Sequence, residues 1–321
     1  VDALVWHGGP NLTVEQIDPP TPDAGEVVVD IVLAGICGSD LHAYRGHGGK
    51  RVPPLVLGHE AVGRIQGESE LQALFPLRGC GHCAACARGE ENLCNQRRLL
   101  GLDRQGTFAQ QVAIARDDLM PVPAGVSTAV ATLTEPLATA IGTLDGLDLG
   151  ASSRVGVIGL GPIGLLTVYA ALQQGSEVIA VDPAPHRRGH AEALGATQVL
   201  PGAEELPRDA LDAVVDAVGV SATWSEAVAA VRAGGVVVIV GLGEDTGPMN
   251  VGRLVRAGVT VRGTYAYSRA QFKAALQMLG ERPPTTTWVE CLPLDEGPRA
   301  FERLSSVTGT AAKVLLELTP A

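Results

Sequence analysis

Apolar positions follow two different rhythms along this chain. In the middle, Val155-Gly156-Val157-Ile158 and Val178-Ile179-Ala180-Val181 are short unbroken apolar runs, the pattern of strands buried on both faces. Further runs at Gln198–Leu200, Leu211–Val218, Val236–Val240 and Val259–Thr264 continue the series. Between and after them, helical periodicity fits Leu165–Gln174, Arg187–Leu194, Ser221–Val231, Val251–Arg256 and Ala270–Leu279. Strands alternating with helices in this way predict a doubly wound parallel sheet.

The two ends of the chain read differently. Ala3–Trp6 and Leu12–Glu15 form a hairpin pattern around Gly8-Gly9-Pro10-Asn11, and Asp18-Pro19-Pro20-Thr21-Pro22 is a rigid connector. Glu26–Leu33 and Gly106–Ile114 read as strands, Val122–Val126 as a turn, and Thr134 opens a helix expected to reach Leu147. Beyond Gly280, Thr287–Leu292 and Lys313–Leu318 return to strand character, so the ends predict an all-β module.

The first central strand runs into Gly159-Leu160-Gly161-Pro162-Ile163-Gly164 and then into a helix. Each position has a physical task. Gly159 permits a tight turn, Gly161 lets backbone approach a pyrophosphate, and Gly164 lets helix and strand pack closely. Pro162 fits the first helical position, where its missing N–H is no loss. The free amides at that helix start attract phosphate. Asp182 closes the next strand, where an acid receives ribose hydroxyls and favours NAD over NADP. Arg187 and Arg188 follow closely; either could meet a 2′-phosphate or stand as a solvated helix start, and Arg187 is expected to stack near the adenosine. Val240-Gly241 ends a strand on the same nucleotide-facing edge.

Composition narrows the field. The chain has 321 residues, 46% hydrophobic and 18% charged, a globular composition long enough for about two domains. Its net charge of −11 argues against nucleic acid or an anionic membrane surface as partner. No apolar run is long enough to span a bilayer, and VDALVWHGG has no signal-peptide character, so a cytoplasmic location is expected.

Four of the six cysteines crowd into Cys80–Cys94, which without an export signal suggests metal rather than disulfides. Cys80, Cys83, Cys86 and Cys94 have the spacing to wrap one zinc tetrahedrally in a closed site. His82 stays outside that ligand set, and Cys291 reads as a buried hydrophobe. Separately, Cys37, His59 and Glu60 supply thiolate, imidazole and carboxylate, three ligands with one position left open, as a catalytic zinc requires. Glu135, in Thr134-Glu135-Pro136-Leu137-Ala138, also fits a plain first-turn acid complementing the helix dipole.

These motifs, GICGSDLH, LGHEAVG, CGHCAACARGEENLC, TEPLA, GLGPIG and the acid at Asp182, occur in an order that resembles the zinc-containing medium-chain alcohol/polyol dehydrogenases. The resemblance implies a GroES-like β domain at 1–137 and 269–321 holding two zincs, and a Rossmann NAD-binding domain at 138–268. It implies Cys37, His59 and Glu60 at the catalytic zinc, Glu135 as fourth ligand or partner of its water, and Asp40 orienting His59. Ser39, the nicotinamide ribose and His42 would carry the hydroxyl proton to solvent. Glu60 and Glu135 resemble the sorbitol and butanediol branch, which implies NAD-linked oxidation of a secondary alcohol in a polyol, sugar alcohol or cyclitol, with an alcohol or ketone as partner and a homodimer or homotetramer as assembly. Tyr44, Phe108 and Tyr267 are candidates for the substrate wall. Two departures stand out: Glu68–Gly79 is shortened, which bears on local strand pairing, and Ala266-Tyr267 replaces the Arg-Tyr pair of sorbitol dehydrogenases. Competing readings are a primary-alcohol, threonine or glucose dehydrogenase, and a zinc-free nucleotide-binding protein.

Overall fold

A computed structural model describes residues 1–305 and 311–318. Of the return segment expected over 269–321, positions 306–310 and 319–321 lie outside the described residues. The chain divides into two compact units, one formed by residues up to Glu135 together with those from Ser268 onward, the other by Pro136–Tyr267.

The first unit is built on the strand Glu26–Gly35, whose apolar positions are buried from Ile31 onward. Its first half pairs antiparallel with Gln111–Ala115 and its last residues with Lys313–Glu317. Glu60–Ile65 runs antiparallel along its other edge, with Gly35 opposite Glu60. Leu71–Leu74 pairs with Glu60–Ile65 and with Leu119–Pro121, so the shortened segment keeps its ladder. Leu4, Trp6, Ile31, Leu57, Phe108 and Phe301 belong to one core cluster beneath this sheet. Each such side chain contributes ~1.5–3 kcal/mol on burial.

Two expectations need correcting here. The strand foreseen at Gly106–Ile114 is confined to Gln111–Ala115. Gly106, Thr107 and Phe108 instead donate their amides to Val56, Gly58 and Leu57 carbonyls. That close backbone approach requires glycine, since a Cβ at Gly106 would run into the Leu57 and Gly58 carbonyls. Cys291 is exposed rather than buried. It lies on Val289–Pro293, which among the described residues is the outermost strand of its sheet.

The second unit is a six-stranded sheet in the order Gln198–Leu200, Glu177–Val181, Arg154–Ile158, Leu211–Asp216, Val231–Ile239, Thr260–Gly263, with every pairing parallel. This is the doubly wound architecture the apolar runs predict. The strand order reverses between Arg154–Ile158 and Leu211–Asp216, the switch point where such sheets receive ligands. The helix Pro162–Gln173 that follows is buried continuously from Gly164 to Ala171, which explains why it is apolar on all sides.

Candidate active site and metal centres

Strand register assembles the first centre. Because Gly35 lies opposite Glu60, the chain leaving Gly35 toward Cys37 passes the chain arriving through His59. One donor atom each from Cys37, His59 and Glu60 falls within 4.8 Å of the others. Gly35 has to be glycine, because a Cβ there would collide with the Glu60 carboxylate and come within 2.9 Å of Lys313 Cε. Cys37 caps the helix Gly38–Tyr44, and Asp40 Oδ2 accepts the Cys37 amide at 3.1 Å. Asp40 is fully buried, and its Oδ1 lies 3.8 Å from His59 Nδ1. That contact leaves Nε2 as the ring nitrogen free to meet an ion.

The electrostatics of this cluster fit a cation. Burial favours the neutral His59 ring, yet the Asp40 carboxylate, then the Cys37 thiol group and Glu135, outweigh it and hold the imidazole well above its ordinary 6.5. Asp40 Oδ1 and His59 Nδ1 are buried atoms without a hydrogen-bond partner among the described residues, and Glu60 Oε2 faces the buried Lys313 ammonium. A thiol, an imidazole and a carboxylate converging beside the buried Asp40 are a donor set that a metal ion stabilises. Glu135 is buried and close enough to bias His59, but stands outside the three-donor group.

The second centre is local. Cys80, Cys83, Cys86 and Cys94 place all four sulfurs within 4.8 Å of one another. The Cys80–Cys86 and Cys83–Cys86 sulfur separations are 4.0 and 3.6 Å. These bracket the edge of about 3.8 Å expected for a tetrahedron with ~2.3 Å Zn–S bonds. Backbone amides of Cys80, Gly81, Cys86 and Gln96 point at sulfurs at 3.3–3.5 Å. The amides of Cys86 and Cys80 hold the Cys83 and Cys94 thiols below their usual range. The Gly81 amide favours the Cys86 thiolate, but burial and the neighbouring cysteines together push that thiol up to about 11. Four thiolates this close need a shared cation. His82 is exposed, its Nδ1 2.9 Å from the Cys80 carbonyl, and it is not in the cluster.

In the second unit the glycine turn divides its labour by position. Gly159 has φ +88°, a Cβ on Gly161 would meet open space, and one on Gly164 would overlap the Gly159 carbonyl. Gly161 caps the helix and Pro162 opens it. Leu160 and Ile163 fill the remaining places in the turn, and the Leu160 amide donates to Asp182 Oδ2 at 2.9 Å. Asp182 Oδ1 accepts from the Ala184 amide at 2.9 Å, so this buried acid ties the end of its strand to the glycine turn. Arg187 Nη1 lies 3.5 Å from Asp182, whereas Arg188 is committed to the Asp182 and Pro183 carbonyls. Val240 and Gly241 donate their amides to the Asp216 carbonyl at the end of the neighbouring strand.

Two residues at the first centre escaped the sequence reading. Lys313 is fully buried, ion-paired with Glu60, and donates to the Ile36 carbonyl at 2.8 Å. Its only sequence signal is a charge at the head of an apolar strand, which burial makes costly without a partner. Arg51 reaches back from the following loop to Ser39 Oγ at 3.3 Å. Ser39 and His42 lie three positions apart on one helix, hence on one face. Of the wall candidates, Tyr44 is half-buried against Phe301, while Phe108 and Tyr267 are wholly buried and Phe108 packs edge-on to Phe301 at 6.0 Å.

Comparison with known proteins agrees with this geometry. The alcohol dehydrogenase GroES-like domain profile matches residues 23–124, and the zinc-binding dehydrogenase profile matches residues 162–281. Sorbitol dehydrogenase of Bacillus subtilis is 31% identical over 83% of this chain and 82% of its own length. An alcohol dehydrogenase of a Moraxella species is 30% identical over 94% of this chain and 95% of its own. A zinc-binding dehydrogenase from Sinorhizobium meliloti, solved bound to NADP, superposes with a TM-score of 0.91 at 26% identity, covering 98% of each chain. The β unit is thus GroES-like and the parallel sheet an NAD-binding Rossmann fold, and the two donor sets fit a catalytic and a structural zinc. Among the described residues, no helix is long and apolar enough to cross a membrane.

Proposed function

This chain belongs to the zinc-binding alcohol dehydrogenase family, and on that premise we propose that it oxidises a secondary hydroxyl of a polyol, sugar alcohol or cyclitol while reducing NAD. The observation that carries this reading is the convergence of Cys37, His59 and Glu60, one donor atom each within 4.8 Å of the others, with His59 and Glu60 buried. Those three residues, with Glu135 nearby, would hold the ion, which when bound supplies Lewis acidity toward the substrate oxygen. Ser39 Oγ takes the hydroxyl proton while releasing its own into the relay, and the exposed His42 on the same helix face passes a proton to solvent. Asp40 keeps the His59 ring turned by facing Nδ1. Gly159–Gly164 seats the dinucleotide pyrophosphate, and Asp182 receives the adenosine ribose.

The polyol assignment is supported by the buried glutamates at 60 and 135 and by the likeness to sorbitol dehydrogenase. For the cofactor, the buried Asp182 carboxylate supports NAD. The NADP carried by the Sinorhizobium relative, together with the exposed Arg187 beside Asp182, favours a second reading in which NADP is accepted. A screen of polyols, cyclitols, primary alcohols, threonine and glucose against NAD and NADP, before and after zinc removal, tests both. Turnover of a secondary alcohol with NAD, lost on stripping and restored by zinc, is expected. Equal turnover in protein shown to be zinc-free would overturn the proposal.

A further inference from the structure

Resting on that reading of the site, we propose that Arg51 is a positioning residue that braces the Cys37/His59/Glu60 centre by holding Ser39 and the Gly101 backbone while its charge faces Asp40. Its guanidinium belongs to a side chain only 7% exposed. Nε donates to the Gly101 carbonyl at 2.8 Å, and Nη2 donates to Ser39 Oγ at 3.3 Å. The same Nη2 lies 3.6 Å from Asp40 Oδ1.

The partners close a ring. Asp40 Oδ1 sits between Arg51 at 3.6 Å and His59 Nδ1 at 3.8 Å and accepts no hydrogen bond among the described residues. Arg51 thus sets a permanent positive charge against a fully buried carboxylate that has to steer the imidazole. The other arm reaches Gly101, whose φ is +70° and whose would-be Cβ lies 2.6 Å from the Gly58 carbonyl. Gly58 precedes His59. From Arg51 one path thus runs through Asp40 to the His59 ring, and the other through Gly101 and Gly58 to the His59 backbone. A side chain and main chain held from a single fork leave His59 Nε2 little freedom to wander.

Only arginine has this reach. Its planar fork presents donors in fixed directions, whereas a lysine ammonium is one point charge on a flexible stem. Arg51 also has no acceptor, so it can only donate to Ser39 Oγ. That fills one lone pair on Oγ and leaves the hydroxyl's own proton to be donated elsewhere. The side-chain hydrogen bonds described for Arg51 go to Ser39 and Gly101 and not to the three donor residues, so it acts through Ser39, Asp40 and His59.

The test is zinc retention by the full chain against a chelator, with cobalt(II) as spectroscopic probe. Wild-type protein holds two zinc ions. In Arg51→Met, one of them leaves about ten- to hundredfold more readily, as loss of support around a ligating histidine predicts. The ion in the Cys80–Cys94 cluster is unaffected and serves as internal control. The visible bands of cobalt at the Cys37/His59/Glu60 centre shift while those of the four-cysteine centre do not. Arg51→Lys keeps the wild-type melting temperature, which rules out a general packing role, yet still loosens the same ion. If Arg51→Met does not fold, the lysine variant decides by the same readouts. Two zinc ions released at wild-type rates from either folded variant would overturn this assignment and leave the functional reading standing. A wild-type chain that binds zinc only at the four cysteines would overturn both.

Discussion

The two metal centres of the first unit are built by opposite means. The four-cysteine cluster is written into one segment: Cys80 to Cys94 span a short stretch, and their sulfurs are aimed by amides of that stretch and of Gln96 just beyond it. The Cys37/His59/Glu60 centre depends on long-range register, with Gly35 opposite Glu60 and Lys313 arriving from the far end of the chain. The local centre is saturated by its own sulfurs, so a bound ion is closed off and contributes to folding. The long-range centre offers three donors, and the acids and bases around it, Ser39, Asp40, His42 and Glu135, are what an open site needs. One centre holds a loop together, and the other is held together by the fold.

The sharpest way to break this contrast is to remove one ligand from each. His59→Ala, or Cys37→Ser, should lower turnover by about 10³-fold or more, the equivalent of several kcal/mol of lost charge stabilisation. Dinucleotide binding, followed by cofactor fluorescence, should survive, because the glycine turn and Asp182 belong to the other unit. Turnover within tenfold of wild type would remove the functional distinction between the centres.

The second change is smaller and of a different kind. Cys83→Ser should lower the metal content by one ion and the melting temperature by about 10 °C, taking a loss of ~3 kcal/mol in a domain of this size. Once folded and at low temperature, the variant should turn over near the wild-type rate. A mutant with unchanged melting temperature and metal content would mean that the four sulfurs do not share an ion.

What the sequence disclosed follows the same division. The cysteine spacing and the glycine turn were legible because both sites are made within one short segment, where spacing is geometry. The parallel sheet was legible because each strand is buried on both faces and its apolar run says so. The Cys37/His59/Glu60 centre could be suspected from residue types, but its assembly depends on a pairing that periodicity does not report. Lys313 and Arg51 stayed hidden for that reason, since a lone charge looks like surface until its partner is known. Cys291 was misread because hydropathy does not reveal that a strand is outermost in its sheet. At Gly106–Phe108 the error has the same root. Strand-like residues there spend their amides on the Val56–Gly58 backbone, a contact between segments that no local pattern marks.

The finest test concerns the proton path, which only the open centre should possess. Burial first, and then the charges of Arg45, His47 and Arg51, hold the His42 imidazole below its ordinary 6.5. The neutral ring is the form that can accept a proton from the relay. Because the shift is downward, the neutral form persists to lower pH than it would for an unperturbed histidine. The acid limb of kcat for alcohol oxidation should therefore have its midpoint below 6.5. Arg45 makes its one described side-chain hydrogen bond to the Ser305 carbonyl and sits on the solvent side of the helix, so it can be changed at little structural cost. Arg45→Gln removes one of the charges that disfavour the His42 cation, and the acid limb should move upward toward 6.5 with the plateau rate little altered. His42→Gln should abolish that limb and slow the plateau. A limb that stays in place in both variants would assign it to another group and leave His42 without a part in moving the proton.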